Sequence, residues 1–224
     1  MTCRRHPSAA SHQGHCAACL LEGALAPRAW SAPHEGDVFT VLLPLGGNAS
    51  SSVFLVKADD PAVRLLRLKT WHTPAPPDFM PRFERLQRQW SEWDPEALPG
   101  PLAARVDDSG RACVLSEFHQ GLPILERVEN GTLVSTKAVA CLGTLLELTR
   151  KAHERGLVHG AIKSGNIIVC ARTDRAYLLD FGHVALVGPE GHERPDASAD
   201  VAGFDRLIHA VETLSSARGS RPPV

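Results

Sequence analysis

Short runs of branched and aromatic residues dominate the first half of the chain, and longer runs with helical spacing dominate the second. Residues 38–45 (VFTVLLPL), 53–57 (VFLVK) and 63–69 (VRLLRLK) predict three strands. Gly46, Gly47 and Asn48 mark a turn between the first two. Residues 79–92 predict a helix with Phe83, Leu86 and Trp90 on one face. Residues 102–106 and 111–118 predict two more strands joined by the turn DDSG. Residues 134–155 predict a long helix whose apolar stripe is Val139, Leu142, Leu145, Leu146, Leu148 and Ala152. Two short strands, 167–170 and 176–180, and a final amphipathic helix over 199–215 complete the pattern. Five strands with one helix, then helices around a small hairpin, predict an α+β, two-lobed fold.

Composition narrows the functional classes. The 224 residues carry 24 Lys+Arg against 25 Asp+Glu, a net charge of −1, so no global field draws the chain to nucleic acid or anionic lipid. No apolar run approaches the roughly 18 residues that span a bilayer, and the opening MTCRRHPSAASHQGH lacks the apolar core of a signal peptide. These features predict a cytoplasmic protein without membrane or nucleic-acid partners, its six cysteines reduced. Cys113, Cys141 and Cys170 stand singly in apolar stretches and are expected as buried, inert thiols.

Cys3-x2-His6 followed by Cys16-x2-Cys19 has the spacing of a tetrahedral Zn2+ site. Two close ligand pairs would fold nine residues around one ion, and metal binding would order a segment too small for its own core. The loop is similar to half of a B-box or zinc-ribbon finger. Arg4 and Arg5 are its only basic residues besides histidine, so contact with a protein partner is expected rather than nucleic acid.

The most specific segment is LVHGAIKSGNIIV, residues 157–169, followed by LLDFG at 178–182. These residues resemble the protein kinase family, with its catalytic loop H-R-D-x-K-x-x-N and its metal-binding turn D-F-G. The resemblance covers about residues 38–215. Small-molecule kinases share the HGxxxxxN spacing, but their metal turn usually lacks DFG. The resemblance implies a nucleotide partner, ATP with Mg2+. Asp180 and Asn166 match the Mg2+ ligands, whose hard oxygens suit that ion. Lys163 matches the lysine near the transferred phosphate, and His159 a histidine that packs structurally. Asp200, in SADVAGFDRLI, matches the aspartate that braces the loop.

One departure decides the expected activity. The catalytic aspartate position is Ala161, and the preceding arginine is Gly160. That aspartate accepts the hydroxyl proton and orients the nucleophile. General-base catalysis contributes roughly 10²–10⁴ in rate, about 3–5 kcal/mol of barrier, and a methyl group supplies none of it.

For the nucleotide, GGNASSSV at 46–53 matches the glycine-rich hairpin: Gly46 takes the first glycine, Val53 the adenine-covering valine, and Asn48 and Ser51 the later glycines. Lys69 matches the phosphate-binding strand lysine and Glu84 its ion-pair partner, whereas the adenine-roofing position, small in the family, is Arg67, a long cation expected to obstruct the base. Glu117 and Phe118 match the start of the hinge, Ser116 the gate and Gly121 the hinge end. Gly188-Pro189-Glu190 echoes A-P-E after a short activation segment, and the family's later helices have no counterpart before Val224.

The resulting organisation is a Cys/His segment with connector over 1–27, a kinase-like N-lobe over 28–118, a shortened C-lobe over 119–217 and a tail over 218–224. Function is expected to be that of a pseudokinase, binding ATP and Mg2+ or regulating a protein partner. The alternative is an active, atypical serine/threonine kinase using another carboxylate, such as Asp205 or Glu117. A third reading is a Zn2+-dependent interaction protein with a nucleotide-free core.

Overall fold

The computed structural model describes residues 11–12, 15–16, 30–31, 38–58, 65–93, 96–188 and 196–219. They separate into two compact units, residues 1–75 with 102–118, and residues 76–101 with 119–224. Of the expected Zn2+ ligands, Cys3, His6 and Cys19 lie outside the described residues, as do Pro189 and Glu190 of the GPE segment. The backbone of Cys16 sits in a two-residue strand, β2 (His15–Cys16), paired antiparallel with β1 (Ser11–His12). Among the described residues, no group of three or more His, Cys, Asp or Glu could hold a metal ion. No helix among them is long and apolar enough to cross a membrane.

The first unit is built on a sheet of β3 (Trp30–Ser31), β4 (Val38–Gly47), β5 (Ser51–Ala58), β6 (Leu65–Pro74), β8 (Arg111–Glu117) and β7 (Pro101–Val106), in that spatial order. The five expected strands are present. The sixth, Trp30–Ser31, lies inside the expected N-lobe span but was not expected as a strand, and it pairs with Val38 and Phe39. Strand β6 runs to Pro74 rather than 69, because Pro74 still faces Arg111 after a register shift. Strand side chains alternate between faces, so Phe39, Val56, Leu66, Leu68, Cys113 and Leu115 gather on one side as a core. Strand β8 is buried from Ala112 to Ser116, on both faces.

In the second unit, α1 (Phe79–Ser91) buries Phe79, Phe83, Leu86 and Trp90, the expected face plus its first residue. β9 (Leu122–Pro123) and α2 (Ile124–Glu129) follow, then the long α3 (Ser135–Glu154), the hairpin β10 (Ile167–Val169) and β11 (Ala176–Leu178), the one-turn α4 (His183–Val187), and α5 (Ala197–Gly219). β9 pairs with β10, and α3 packs against α5.

Two packing expectations need correction. The buried line of α3 is Ala138, Leu142, Leu145, Thr149 and Ala152, while Val139, Leu146 and Leu148 are only half-buried. Thr149 enters that line because its hydroxyl donates to Leu145 O at 2.8 Å, so its burial leaves no orphan group. Of the three single cysteines only Cys113 is buried, and burial pushes its thiol pKa up; Cys141 and Cys170 are half-buried.

A buried cation ties part of the second unit together. Arg127, on α2, is 3% exposed. Its guanidinium donates to Cys170 O at 2.9 Å, Asp174 Oδ1 at 2.8 Å and Thr132 O at 2.5 Å. It thereby joins α2 to the turn of the β10–β11 hairpin, whose Asp174 adopts a left-handed φ of 53°.

Candidate functional site

In the second unit the loop of residues 157–166 is fixed by a buried carboxylate. Asp200, in the first turn of α5, is fully buried. Its Oδ2 accepts the His159 N–H and its Oδ1 the Gly160 N–H, each at 2.8 Å. His153 Nε2, from α3, donates to Oδ2 at 3.0 Å. An ionised carboxylate taking several N–H donors is the arrangement in which burying a charge is tolerated. Asp200 thus holds the role the sequence resemblance implied for it, with His153 as an added donor.

His159 is equally constrained. Its Nδ1 accepts the Ala161 N–H at 3.1 Å, so Nε2 carries the proton and donates to Leu179 O at 2.8 Å. The ring is fully buried and stands edge-on to Phe181, centroids 5.2 Å apart. Both nitrogens are committed to backbone, so His159 is a structural strut.

Between these anchors lies the altered position. Gly160 sits at φ 77°, a left-handed conformation that glycine takes freely and that costs other residues about 1–2 kcal/mol. Ala161 is half-buried. Its carbonyl accepts Asn166 Nδ2–H at 2.9 Å. That bond fixes the orientation of the Asn166 carboxamide and leaves its Oδ1 as the oxygen available to a ligand. Asn166 itself is 6% exposed, on a 3-10 turn (Ser164–Asn166), and its backbone N–H donates to Lys163 O. Lys163 is exposed.

The turn 180–183 adjoins this loop through Leu179, whose N–H donates to Asn166 O at 2.8 Å. Asp180 is 9% exposed and holds φ at 65°, a backbone strain expected at ligand-binding positions. Phe181 packs on Trp90 of α1, centroids 5.0 Å apart. Gly182, at φ 73°, passes so close to α1 that a Cβ there would lie 2.8 Å from the Leu86 methyls. His183 follows, its Nδ1 3.4 Å from Asp180 Oδ1.

The first unit places its own candidates along one rung of the sheet. Gly46 faces Val53, Val53 faces Lys69, and Lys69 faces Val114. Lys69 Nζ stands 5.1 Å from the Trp71 ring centroid, a cation–π distance. Arg67 shares the Lys69 face, two residues away and opposite Ser116. Glu117 pairs with Leu66 and therefore points to the other face. Phe118 follows β8 and is half-buried. Glu84, on the second unit's α1, is exposed and forms no ion pair among the described residues.

The β4–β5 turn is closed on itself. Asn48 Oδ1 accepts the Ser50 N–H at 2.8 Å, the Ser51 N–H at 2.9 Å and the Ser50 hydroxyl at 2.8 Å. His72 Nδ1 donates to Ala49 O at 3.0 Å, and Ser52 Oγ lies 2.8 Å from its Nε2. The turn amides that a glycine-rich hairpin would offer to phosphate oxygens are occupied here by a side chain of the same turn.

Sequence reasoning overlooked His153, His72, His183 and Arg127. His153 and Arg127 carried local signals: a histidine in the last turn of a helix, and a helix start at Pro123 with Glu126 in its first turn. His72 and His183 had none, because their partners are set by strand register and a tight turn.

No family model matches the chain. Over 185 residues it is 29% identical to the serine/threonine-protein kinase pkn2 of Myxococcus xanthus, covering 79% of this chain and 21% of that one. Over 179 residues it is 24% identical to the serine/threonine-protein kinase PknB of Mycobacterium tuberculosis, covering 74% of this chain and 27% of that one. The PknB of Mycobacterium bovis is similar to the same degree. The chain thus spans about a fifth to a quarter of the length of these relatives, and about three-quarters of it is kinase-like in sequence.

Proposed function

We propose that the chain is a pseudokinase: a protein-kinase-like module that binds ATP with Mg2+, or a regulatory partner, without efficient phosphoryl transfer. The observation that carries this reading is Ala161, a methyl group in a loop whose supports are otherwise intact. Asp200 still holds the His159 and Gly160 amides, and Asn166 is still oriented by the Ala161 carbonyl. The scaffold of the loop is kept while its base is missing.

Asn166 Oδ1 and the Asp180 carboxylate are the oxygens that would hold Mg2+, and their chemistry suits that ion. Bound there, Mg2+ would neutralise triphosphate charge. Lys163, exposed on the loop, would add a cation. Lys69, Gly46 and Val53 are the first-unit residues assigned to the nucleotide, with Glu117 and Phe118 offering backbone groups; Glu84 is assigned to Lys69 by the resemblance alone.

The retained Lys69, Asn166 and Asp180, together with the kinase names of the relatives, favour the second reading, an active atypical serine/threonine kinase. It needs a substitute base. Asp205 lies on the exposed side of α5, away from the buried Asp200, Phe204 and Leu207. Glu117 points to the sheet face opposite Lys69. Neither supports that reading.

ATP with Mg2+ is expected to raise the melting temperature of the chain, and Asp180→Ala to abolish the rise. No transfer of labelled phosphate above background is expected. Autophosphorylation by the unmodified chain, lost in Asp180→Ala, would overturn the pseudokinase reading.

For the N-terminal segment we retain the proposal of one Zn2+ on Cys3, His6, Cys16 and Cys19, serving a protein contact. Elemental analysis of reduced protein is expected to give one zinc per chain, falling to none in Cys16→Ser with Cys19→Ser; a metal-free unmodified chain refutes it.

A further inference from the structure

The histidine after the DFG turn stands where no expectation placed a functional group. His183 is 4% exposed, and Asp180 beside it 9%. Their facing atoms, His183 Nδ1 and Asp180 Oδ1, are 3.4 Å apart. That is longer than an ordinary N–H···O bond of roughly 2.7–3.2 Å. It is close to the separation of two neighbouring ligands on one metal ion, since bonds of about 2.1 Å at right angles set their donors about 3 Å apart.

The turn gives the imidazole little freedom. Asp180 and Gly182 both hold left-handed φ angles, and the His183 N–H donates to Asp180 O at 3.2 Å. Asn166 adds an oriented carboxamide oxygen, and its backbone carbonyl holds Leu179, next to Asp180.

We propose that His183 Nδ1 is a direct metal ligand alongside Asp180 and Asn166, making a mixed nitrogen–oxygen site that takes Mn2+ in preference to Mg2+. The proposal rests on the reading of Asp180 and Asn166 as metal ligands. Its physical basis is donor chemistry. Mg2+ favours oxygen donors and keeps its water, whereas first-row transition ions accept imidazole readily. Replacing one oxygen by nitrogen therefore weakens Mg2+ more than Mn2+.

The test is pulsed electron paramagnetic resonance of Mn2+ bound to the whole chain, with ADP present, at one fixed pH. The unmodified protein is expected to show modulation from a directly bound ¹⁴N nucleus. Growth with ¹⁵N-histidine should convert it to the ¹⁵N pattern, a result independent of any substitution. His183→Gln should bind Mn2+ without nitrogen modulation, and Mg2+ should displace its Mn2+ at about tenfold lower concentration than in the unmodified protein. Asp180→Ala should lose the bound Mn2+ signal. Mn2+ that binds through Asp180 without histidine coupling overturns the role of His183 and leaves the Asp180–Asn166 site standing. No Asp180-dependent Mn2+ binding overturns both.

Discussion

Asp200→Ala is expected to lower the unfolding free energy by about 3–5 kcal/mol, more than any other single polar substitution in the loop region. The alanine removes the acceptor of two backbone N–H groups, those of His159 and Gly160, and of His153 Nε2. His159 and Asp200 are fully buried, so water cannot replace the lost bonds without opening the packing. Each unsatisfied buried donor costs about 1–3 kcal/mol. Asp200→Asn keeps one oxygen but turns an NH2 toward an N–H donor, so about half the loss is expected there. Urea unfolding followed by circular dichroism measures both. A midpoint for Asp200→Ala within error of the unmodified protein would show that the carboxylate does not brace the loop.

Arg127→Met is the second large expected effect, a loss of about 3 kcal/mol. Methionine fills similar volume, so the cost comes from polar groups rather than a cavity. The carbonyls of Cys170 and Thr132 lose a charged donor, and Asp174 keeps only the half-exposed Lys137. The pH dependence supplies a second readout. Hydrogen bonds from Lys137 and Arg127 hold the Asp174 carboxyl below its ordinary value of 3.8. The unfolded chain therefore binds more protons in that range. The stabilisation is present above about pH 4 and is lost as pH falls through the lower, folded-state pKa. Arg127→Met removes part of that depression, so its unfolding midpoint should fall less steeply between about pH 4 and pH 2 than that of the unmodified protein. Parallel acid profiles for the two proteins would separate Arg127 from Asp174.

The legible parts of this molecule are those written in local patterns. Short unbroken runs of branched and apolar residues in VFLVK and RACVLSEF located β5 and β8, and β8 is buried on both faces as such a run requires. Phe83, Leu86 and Trp90 recur at the helical period on one buried face, and that located α1. The loop residues His159, Asn166, Asp180 and Asp200 were legible as a spaced motif. The structure joins His159 to Asp200 by a hydrogen bond and Asn166 to the Asp180 turn through Leu179. What stayed hidden depended on tertiary pairing. Helix α2 spans only six residues, too few for a period to show. Arg127 reads as an ordinary surface cation until Cys170 and Thr132 offer it carbonyls. Thr149 broke the predicted stripe because a hydroxyl can satisfy itself on its own helix.

The Asn48 carboxamide gives the β4–β5 turn a built-in competitor. It is covalently tethered to the amides it fills, so its local concentration far exceeds that of any dissolved anion. A phosphate arriving at this turn must displace a neutral group that already satisfies the Ser50 and Ser51 amides. The strand pair therefore behaves as a stoppered cradle, and the proposed nucleotide site would draw its anion contacts from groups other than the Ser50 and Ser51 amides.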